Sequence, residues 1–157
     1  MTFPKIGNPA PLFTLQNQRA ETVALEQLRG SHNVVLYFYP AAMTPGCTKE
    51  ACHFRDLAGD FAAVGATRVG ISTDAVDKQA RFADSQGFDY PLLSDADGAV
   101  ATTFGVKRGL LGKFLPVKRT TFVIDTDRTV LEVISSEVNM DTHADKALQV
   151  LRGRKSA

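Results

Sequence analysis

The fold is decided by residues 34–52, which read VVLYFYPAAMTPGCTKEAC. Val34–Tyr39 carries β-branched and aromatic side chains on both alternating faces, which is typical of a central strand covered on both sides of a sheet. Thr44 is a suitable N-cap residue, and Pro45 suits a first helical position, where an N–H would be unpaired anyway. The sequence therefore predicts a buried strand that leads directly into a helix, with Cys47 in the first helical turn.

The elements around this junction predict one α/β domain. A right-handed crossover from residues 34–39 through a helix at 45–64 to a strand at 66–72 makes these two strands parallel neighbours. The other predicted elements are an edge hairpin at 12–16 and 21–24, a helical turn at 25–29, helices at 75–86 and 98–104, a short strand at 92–94, a hairpin of strands at 121–124 and 130–135, and a last helix at 141–151 with Asp141 as its N-cap. This order predicts a thioredoxin-like fold for residues 1–157, in which helices cover both faces of a central mixed β-sheet.

Composition narrows the functional classes. The chain has 157 residues and a net charge of only +1, which argues against non-specific binding to nucleic acid or to a membrane surface. No apolar run approaches the roughly 18–20 residues of a membrane span, and the N-terminus lacks the apolar segment of a secretory signal. We therefore expect a cytoplasmic protein. In that reducing compartment the two cysteines, Cys47 and Cys52, are more often catalytic, metal-binding or inert than a structural disulfide.

Cys47 is the candidate nucleophile. Unpaired backbone N–H groups and the dipole at a helix N-terminus favour negative charge on its sulfur. An ordinary thiol needs about 2.7 kcal/mol of stabilisation to be mostly ionised at neutral pH, and a helix N-terminus typically supplies about 0.3–1 kcal/mol. A cation is therefore expected nearby. Arg119, directly before the strand that begins the C-terminal hairpin, is the best candidate; its competitors are Lys107, Arg108, Lys113 and Lys118.

The second cysteine lies on a different face of the predicted helix. Cys52 falls about 140° from Cys47 on a helical wheel, away from the apolar stripe of Ala51 and Phe54. Five residues apart in an intact helix, the two Cα atoms would be separated by roughly 8–9 Å, whereas a disulfide needs less than about 7 Å. A bond between them would require the first turns of the helix to unwind. Two unreactive thiols remain an equally open interpretation, and a metal site with His53 is disfavoured because no second group of ligands accompanies it.

The motif Pro40-x-x-x-Thr44-x-x-Cys47 resembles the active-site pattern of the peroxiredoxins, thiol peroxidases that use no cofactor. The longer string 38–52, together with GISTD at 70–74, PLLSD at 91–95 and RTTFVID at 119–125, resembles the bacterioferritin comigratory protein or peroxiredoxin Q branch.

That resemblance implies a role for each site residue. Cys47 would be the peroxidatic thiolate, Thr44 would hydrogen-bond the substrate oxygen, Pro40 would shield the pocket, and Arg119 would stabilise the thiolate and contact the peroxide. Cys52 matches the resolving cysteine of this branch. The resemblance also implies a hydroperoxide substrate, thioredoxin or a similar dithiol as reductant, no cofactor, and a monomer or weak homodimer.

Other functions remain open. Thioredoxin-type oxidoreductases carry Cys-x-x-Cys at this helix start, and Thr44 stands at the first of those two positions, so that exchange disulfide cannot form. In a one-Cys cycle an external thiol would replace Cys52. A redox-sensing or binding module is the alternative from another class, because the basic and apolar residues 107–116 could dock a partner. Their leucines could equally fold back onto the core.

Overall fold

The computed structural model describes residues 4–30, 32–108 and 116–155. In chain order the elements are β1 Thr14–Gln16, β2 Thr22–Ala24, α1 Leu25–Arg29, β3 Asn33–Phe38, α2 Pro45–Asp56, α3 Ala58–Ala63, β4 Ala66–Ser72, α4 Val76–Gln86, β5 Leu92–Ser94, α5 Ala99–Thr103, β6 Thr120–Ile124, β7 Val130–Ser135 and α6 Asp141–Lys155. Among these described residues, seven strands form one sheet in the order β2-β1-β5-β4-β3-β6-β7.

The central strand is β3, as the sequence predicts. It pairs in parallel with β4 on one side and antiparallel with β6 on the other. The crossover through α2 and α3 accounts for the parallel pair, and the hairpin β6–β7 adds the antiparallel edge. Near the other edge, the β1–β2 hairpin joins β5 through the Gln16–Ser94 pair. This arrangement confirms the predicted thioredoxin-like α/β fold with a mixed sheet.

Alternation along β3 builds a hydrophobic core on each face of the sheet. Val35, Tyr37 and the following Tyr39 point to the face covered by α2, α4 and α6. Val34, Leu36 and Phe38 point to the opposite face, which α1 and α5 cover. All six side chains are buried. This strand, apolar on both faces, therefore fixes the position from which the chain enters α2.

The predicted helix at 45–64 is interrupted, which corrects the sequence prediction. It ends as α2 at Asp56 and resumes as α3 at Ala58. Arg68, on the neighbouring β4, donates a 2.8 Å hydrogen bond to the carbonyl of Phe54, the acceptor that the amide of Ala58 would use in a continuous helix. A side chain that enters the helical hydrogen-bond ladder in this way is a known cause of helix breaks.

The last helix also differs from its prediction. Asp141 is its first helical residue rather than its N-cap, and the helix continues to Lys155. The side chain of Asn139 accepts a 3.2 Å hydrogen bond from the amide of Thr142, so Asn139 satisfies a free N–H at this helix start. None of the helices described is long and apolar enough to cross a membrane. Most of the predicted docking stretch, residues 109–115, lies outside the described residues.

A substitution of Gly70, on β4, tests how closely this strand packs against side chains of β3 and β5. A Cβ atom on Gly70 would lie 2.9 Å from Cδ2 of Leu92 and 2.9 Å from the ring and hydroxyl of Tyr37. Because both neighbours are fully buried, we expect Gly70→Ala to lower the free energy of unfolding by about 1–3 kcal/mol in a urea titration.

Gly59 is the matched control, since it lies in α3 and a Cβ there would meet nothing within 4 Å. Gly59→Ala should leave stability unchanged or raise it by up to about 1 kcal/mol. Equal stability of Gly70→Ala and wild type would contradict the packing described.

Candidate active site

Cys47 lies in the first turn of α2, at the carboxyl end of β3. Its side chain is 1% exposed and belongs to the core between α2 and the sheet. Pro45 occupies the first helical position, as predicted. Pro40 is buried two residues after the last residue of β3, and residues 40–44 carry the chain from the carboxyl end of that strand into the helix. The thiol is therefore held at a helix N-terminus but shielded from bulk solvent.

Arg119 reaches Cys47 from the neighbouring strand. The antiparallel pair Phe38–Thr120 places residue 119 beside the end of β3, on the side where α2 begins. Its Nη1 donates to the sulfur of Cys47 at 3.4 Å, and the residue is only 7% exposed. Burial by itself lowers the pKa of Arg119, but the charges of Glu50 and Cys47 more than offset this, and the net shift is upward. The guanidinium therefore remains a cation.

The competing cations take other positions. Arg108 pairs with Glu137, and Lys113 lies outside the described residues. The same Glu137 also accepts a 3.0 Å hydrogen bond from the backbone amide of Arg119, which fixes the entry to β6. Of the predicted basic residues that the structure describes, Arg119 is the one with a recorded contact to Cys47.

Glu50 completes the site, and the sequence reasoning missed it. It lies three residues after Cys47 on α2, is 0% exposed, and accepts a 2.8 Å hydrogen bond from Nη1 of Arg119. Burial raises the pKa of its carboxyl to about 8, although the adjacent guanidinium opposes that rise. The spacing of one helical turn from Cys47 is a signal that could have identified it, because a carboxylate on a buried helix face needs a partner.

His143 is the other residue that sequence reasoning missed. It is fully buried on α6, and its Nε2 lies 2.9 Å from the carbonyl oxygen of Ser136. Its Nδ1 lies 2.8 Å from the hydroxyl of Thr121 and 3.6 Å from Oε2 of Glu50. Burial lowers the pKa of His143. No local pattern predicts these contacts, because they depend on how α6 packs against β6.

Thr44 stands at the N-cap position but does not cap the helix with its side chain. Its backbone has the extended conformation of an N-cap residue, and its carbonyl accepts a 2.8 Å hydrogen bond from the amide of Thr48. Its hydroxyl instead donates to the carbonyl of Ala41 at 2.8 Å. The predicted side-chain cap is therefore wrong. The hydroxyl is exposed and keeps its lone pairs available to a hydrogen-bond donor.

The loop that carries Thr44 is fixed from β4. Asp74, just beyond that strand, accepts a 2.7 Å hydrogen bond from the amide of Ala42 and another of 2.7 Å from the hydroxyl of Ser72. Met43 has a φ of 68°, a left-handed conformation that is uncommon for a residue with a side chain. This turn sends the chain back toward the start of α2.

Cys52 faces away from the site. It is partly buried, and its thiol donates to Oε1 of Gln86 at 3.4 Å, at the end of α4. Burial raises the pKa of this thiol, with Arg55 opposing the rise. Both cysteines are free thiols. Beside them, His53 pairs with Asp145 at 2.7 Å.

The arrangement has the chemistry of an activated thiol. A buried sulfur receives a charge-assisted hydrogen bond from a guanidinium at a helix N-terminus, both of which favour the thiolate. Within the described part of the chain, the buried Nε of Arg119 has no hydrogen-bond partner, so this guanidinium keeps an unpaired donor. Such a site can attack an electrophilic atom and stabilise negative charge on an adjacent oxygen.

Comparison with known proteins agrees with this reading of the site. Residues 6–133 match the AhpC/TSA family, and the chain therefore belongs to it. It is a peroxiredoxin, a thiol peroxidase of the oxidoreductase class, as the Pro40–Cys47 motif predicts.

Its relatives lie in the predicted branch. The crystal structure of peroxidoxin BcpB from Mycobacterium tuberculosis is 67% identical, with a TM-score of 0.91 over 96% of this chain and 97% of that one. Peroxiredoxin Bcp of Escherichia coli is 38% identical over 94% of this chain and 96% of its own length. The bacterioferritin comigratory protein of Xanthomonas campestris, in a structure that concerns its alkyl peroxide reduction activity, is 32% identical, with a TM-score of 0.81 over 90% of this chain and 91% of that one.

The titration of Glu50 predicts a pH dependence of stability. Its carboxyl titrates near 4.5 in the absence of structure and at about 8 in the fold. The folded chain therefore holds this proton to higher pH, and the stability contributed by Glu50 is fully present below about pH 4.5 and lost as pH rises through about 8. The wild type should lose on the order of a few kcal/mol of unfolding free energy across this window relative to Glu50→Gln, which has no such proton.

Chemical denaturation of both proteins across this pH range measures the effect. Glu132→Gln, which changes a half-exposed carboxylate on β7, is the matched control and should track the wild type. A constant difference between wild type and Glu50→Gln at every pH would contradict the buried titration.

Proposed function

We propose that this peroxiredoxin reduces hydrogen peroxide and organic hydroperoxides through Cys47, with Cys52 as the resolving thiol and a thioredoxin-type dithiol as the reductant. The observation that carries this proposal is the 3.4 Å contact between Nη1 of Arg119 and the buried sulfur of Cys47 at the start of α2. That contact brings a positive charge to the sulfur, which favours the thiolate, the nucleophilic form of cysteine.

In the first step the sulfur of Cys47 attacks the terminal oxygen of the hydroperoxide. The O–O bond breaks, Cys47 becomes a sulfenic acid, and the remaining oxygen takes a proton and leaves as water or an alcohol. Arg119 donates to the oxygens as negative charge moves onto them. Thr44, on the exposed side of the turn, accepts from the O–H of the substrate, and the buried ring of Pro40 keeps bulk water from the sulfur.

In the second step Cys52 attacks the sulfenic sulfur, a disulfide forms and water leaves. Because Cys52 contacts Gln86 on α4 while Cys47 faces Arg119, the first turns of α2 must unwind for the two sulfurs to meet. A dithiol such as thioredoxin then reduces the disulfide by exchange. The electrons pass through sulfur alone, so the cycle requires no metal or organic cofactor.

The remaining expectations belong to the same proposal. The chain acts as a single domain and as a monomer or weak homodimer in the cytoplasm, without a nucleic-acid or membrane partner. The range of substrates, including alkyl hydroperoxides, is supported by the alkyl peroxide reduction activity named for the Xanthomonas campestris relative.

A one-Cys cycle is the second candidate, and the placement of Cys52 favours it. In the folded chain Cys52 lies against α4, where it donates to Gln86, and burial raises the pKa of its thiol, which disfavours attack as a thiolate. In this alternative an external thiol attacks the Cys47 sulfenic acid directly.

Substitution of each cysteine separates their roles. Cys47→Ser should reduce hydroperoxide consumption to the uncatalysed rate, because serine is not ionised at neutral pH. Cys52→Ser should still consume one equivalent of hydroperoxide rapidly, but should turn over slowly with a thioredoxin system. A stopped-flow peroxide assay measures both phases. Cys47→Ser with wild-type peroxidase activity would contradict the proposal.

Mass spectrometry of the wild type after one equivalent of peroxide decides between the two cycles. A Cys47–Cys52 disulfide lowers the mass by two hydrogens, whereas a persistent sulfenic acid raises it by one oxygen. Cys52→Ser is the reference for the second outcome. Oxygen gain in the wild type would reject Cys52 as the resolving residue and leave the one-Cys cycle.

A further inference from the structure

One cation serves two anion-forming groups in the site. Nη1 of Arg119 donates both to the sulfur of Cys47 at 3.4 Å and to Oε1 of Glu50 at 2.8 Å. Both groups are buried, so a second negative charge would have no cation of its own. Uncompensated charge is strongly disfavoured away from water. A thiolate at Cys47 and a carboxylate at Glu50 therefore compete for Arg119.

The second oxygen of Glu50 is placed to carry a proton. Within the described residues Oε2 has no hydrogen-bond partner, and Nδ1 of His143 lies 3.6 Å from it. The other ring nitrogen, Nε2, lies 2.9 Å from the carbonyl of Ser136, and a carbonyl can only accept, so Nε2 carries the hydrogen. In the neutral ring Nδ1 is then an acceptor, which also takes the hydroxyl proton of Thr121 at 2.8 Å. Oε2 thus faces a ring nitrogen that carries no hydrogen and cannot donate to it, so a negative charge on Oε2 would have no donor there, which favours the protonated carboxyl.

No group around Glu50, among those that the structure describes, adds a second positive charge. His143 on α6 is kept neutral, because burial lowers its pKa. On the loop after β7, Glu137 is negative and further raises the pKa of Glu50. Tyr37 on β3 and Tyr90 before β5 share a 2.7 Å hydrogen bond, and burial raises the pKa of each hydroxyl, so both stay neutral. Arg119 is therefore the cation that Glu50 and Cys47 share, and a negative charge on Cys47 adds to the effect of burial in favouring the protonated form of Glu50.

We propose that Glu50 is a charge-compensating proton donor that gives up its proton when Cys47 loses its negative charge to a peroxide. The inference rests on the proposed function of Cys47. The balanced step is Cys47–S⁻ + ROOH + Glu50–COOH → Cys47–SOH + ROH + Glu50–COO⁻. Sulfur is oxidised, the O–O bond is reduced, and Arg119 faces one anion before and after the reaction.

The proton returns when the thiol is regenerated. Reduction by an external dithiol leaves Cys47 as a thiol beside the Glu50 carboxylate. Transfer of one proton then gives Cys47–S⁻ and Glu50–COOH, which restores the reactive state without exchange with solvent. Glu50 acts through the charge shared at Arg119 rather than by contact with the substrate.

Proton counting tests the inference. In a Cys52→Ser background, one equivalent of hydrogen peroxide stops the reaction at the sulfenic acid. A pH indicator in weakly buffered solution at about pH 9 records proton uptake, since this is above the pKa of about 8 that burial gives the Glu50 carboxyl and the carboxylate is then not reprotonated by solvent. Mass spectrometry gives the fraction of Cys47 oxidised. With Glu50 present, uptake per oxidised Cys47 should be close to zero. With Glu50→Gln added, it should be close to one, because the leaving oxygen must then take its proton from solvent.

Glu137→Gln in the same background is the matched control. It removes the other carboxylate near Arg119, is exposed and paired with Arg108, and should leave proton uptake close to zero. Equal uptake with and without Glu50, or uptake that appears only in Glu137→Gln, overturns the inference. A purely structural role for Glu50 would change rates but not the proton count.

Infrared difference spectroscopy provides a test that needs no variant at Glu50. At about pH 9, above the pKa of about 8 of the buried Glu50 carboxyl, oxidation of Cys47 should remove the C=O stretch of one protonated carboxyl and add a carboxylate band. Oxidation of Cys47 without that change overturns the inference and leaves the proposed function intact. If mass spectrometry finds no oxidised Cys47 at all, the proposed function itself fails.

Discussion

The contact between Arg119 and Cys47 is the interaction on which the site depends. Its geometry follows from strand pairing, since antiparallel β6 begins at Thr120 beside Phe38, the last residue of β3 before the chain turns into α2. Apolar side chains on both faces of β3 hold that strand in the centre of the sheet. The position of one guanidinium is thus fixed by a buried strand and its pairing with a neighbour.

A comparison of free energies explains why a helix N-terminus alone is not enough to keep a cysteine mostly ionised. A helix N-terminus supplies about 0.3–1 kcal/mol to an anion, whereas conversion of an ordinary thiol to a mostly ionised one requires about 2.7 kcal/mol. A buried guanidinium in hydrogen-bond contact can supply the difference, because charge-assisted hydrogen bonds are strong where water is excluded. The same burial sets up competition between Cys47 and Glu50. A site with one cation and two acids resolves that competition by keeping a proton on one of them.

Much of this architecture can be predicted from the sequence. The predictions that were wrong or missing have physical causes. The pattern of β3 is local, and so is the proline at the start of α2, so both were predictable. The position of Arg119 could be predicted because a residue directly before a strand lies at the end of that strand, here beside the end of the central strand. The break before α3 could not be foreseen, since it depends on the tertiary contact of the Arg68 side chain, on β4, with the carbonyl of Phe54. The sequence did not predict a place for His143 in the site either, because its contacts with Thr121 and Glu50 form only when α6 packs against the sheet.

Thr44 and Glu50 show that sequence patterns do not predict the hydrogen-bond partners of side chains. A threonine before Pro45 fits an N-cap, yet its hydroxyl turns to the carbonyl of Ala41. The sequence patterns assign no role to Glu50, although α2 buries it completely. In both cases the backbone position was right, and the side-chain partner was decided by tertiary structure.

The most direct test of the account is the single-turnover rate constant for hydrogen peroxide with Arg119→Gln. Glutamine retains a donor but removes the charge, so the rate constant should fall by roughly 10²–10³-fold, while the exposed Arg81→Gln should match the wild type. An unchanged rate constant in a folded Arg119→Gln protein would contradict the claim that this guanidinium activates Cys47.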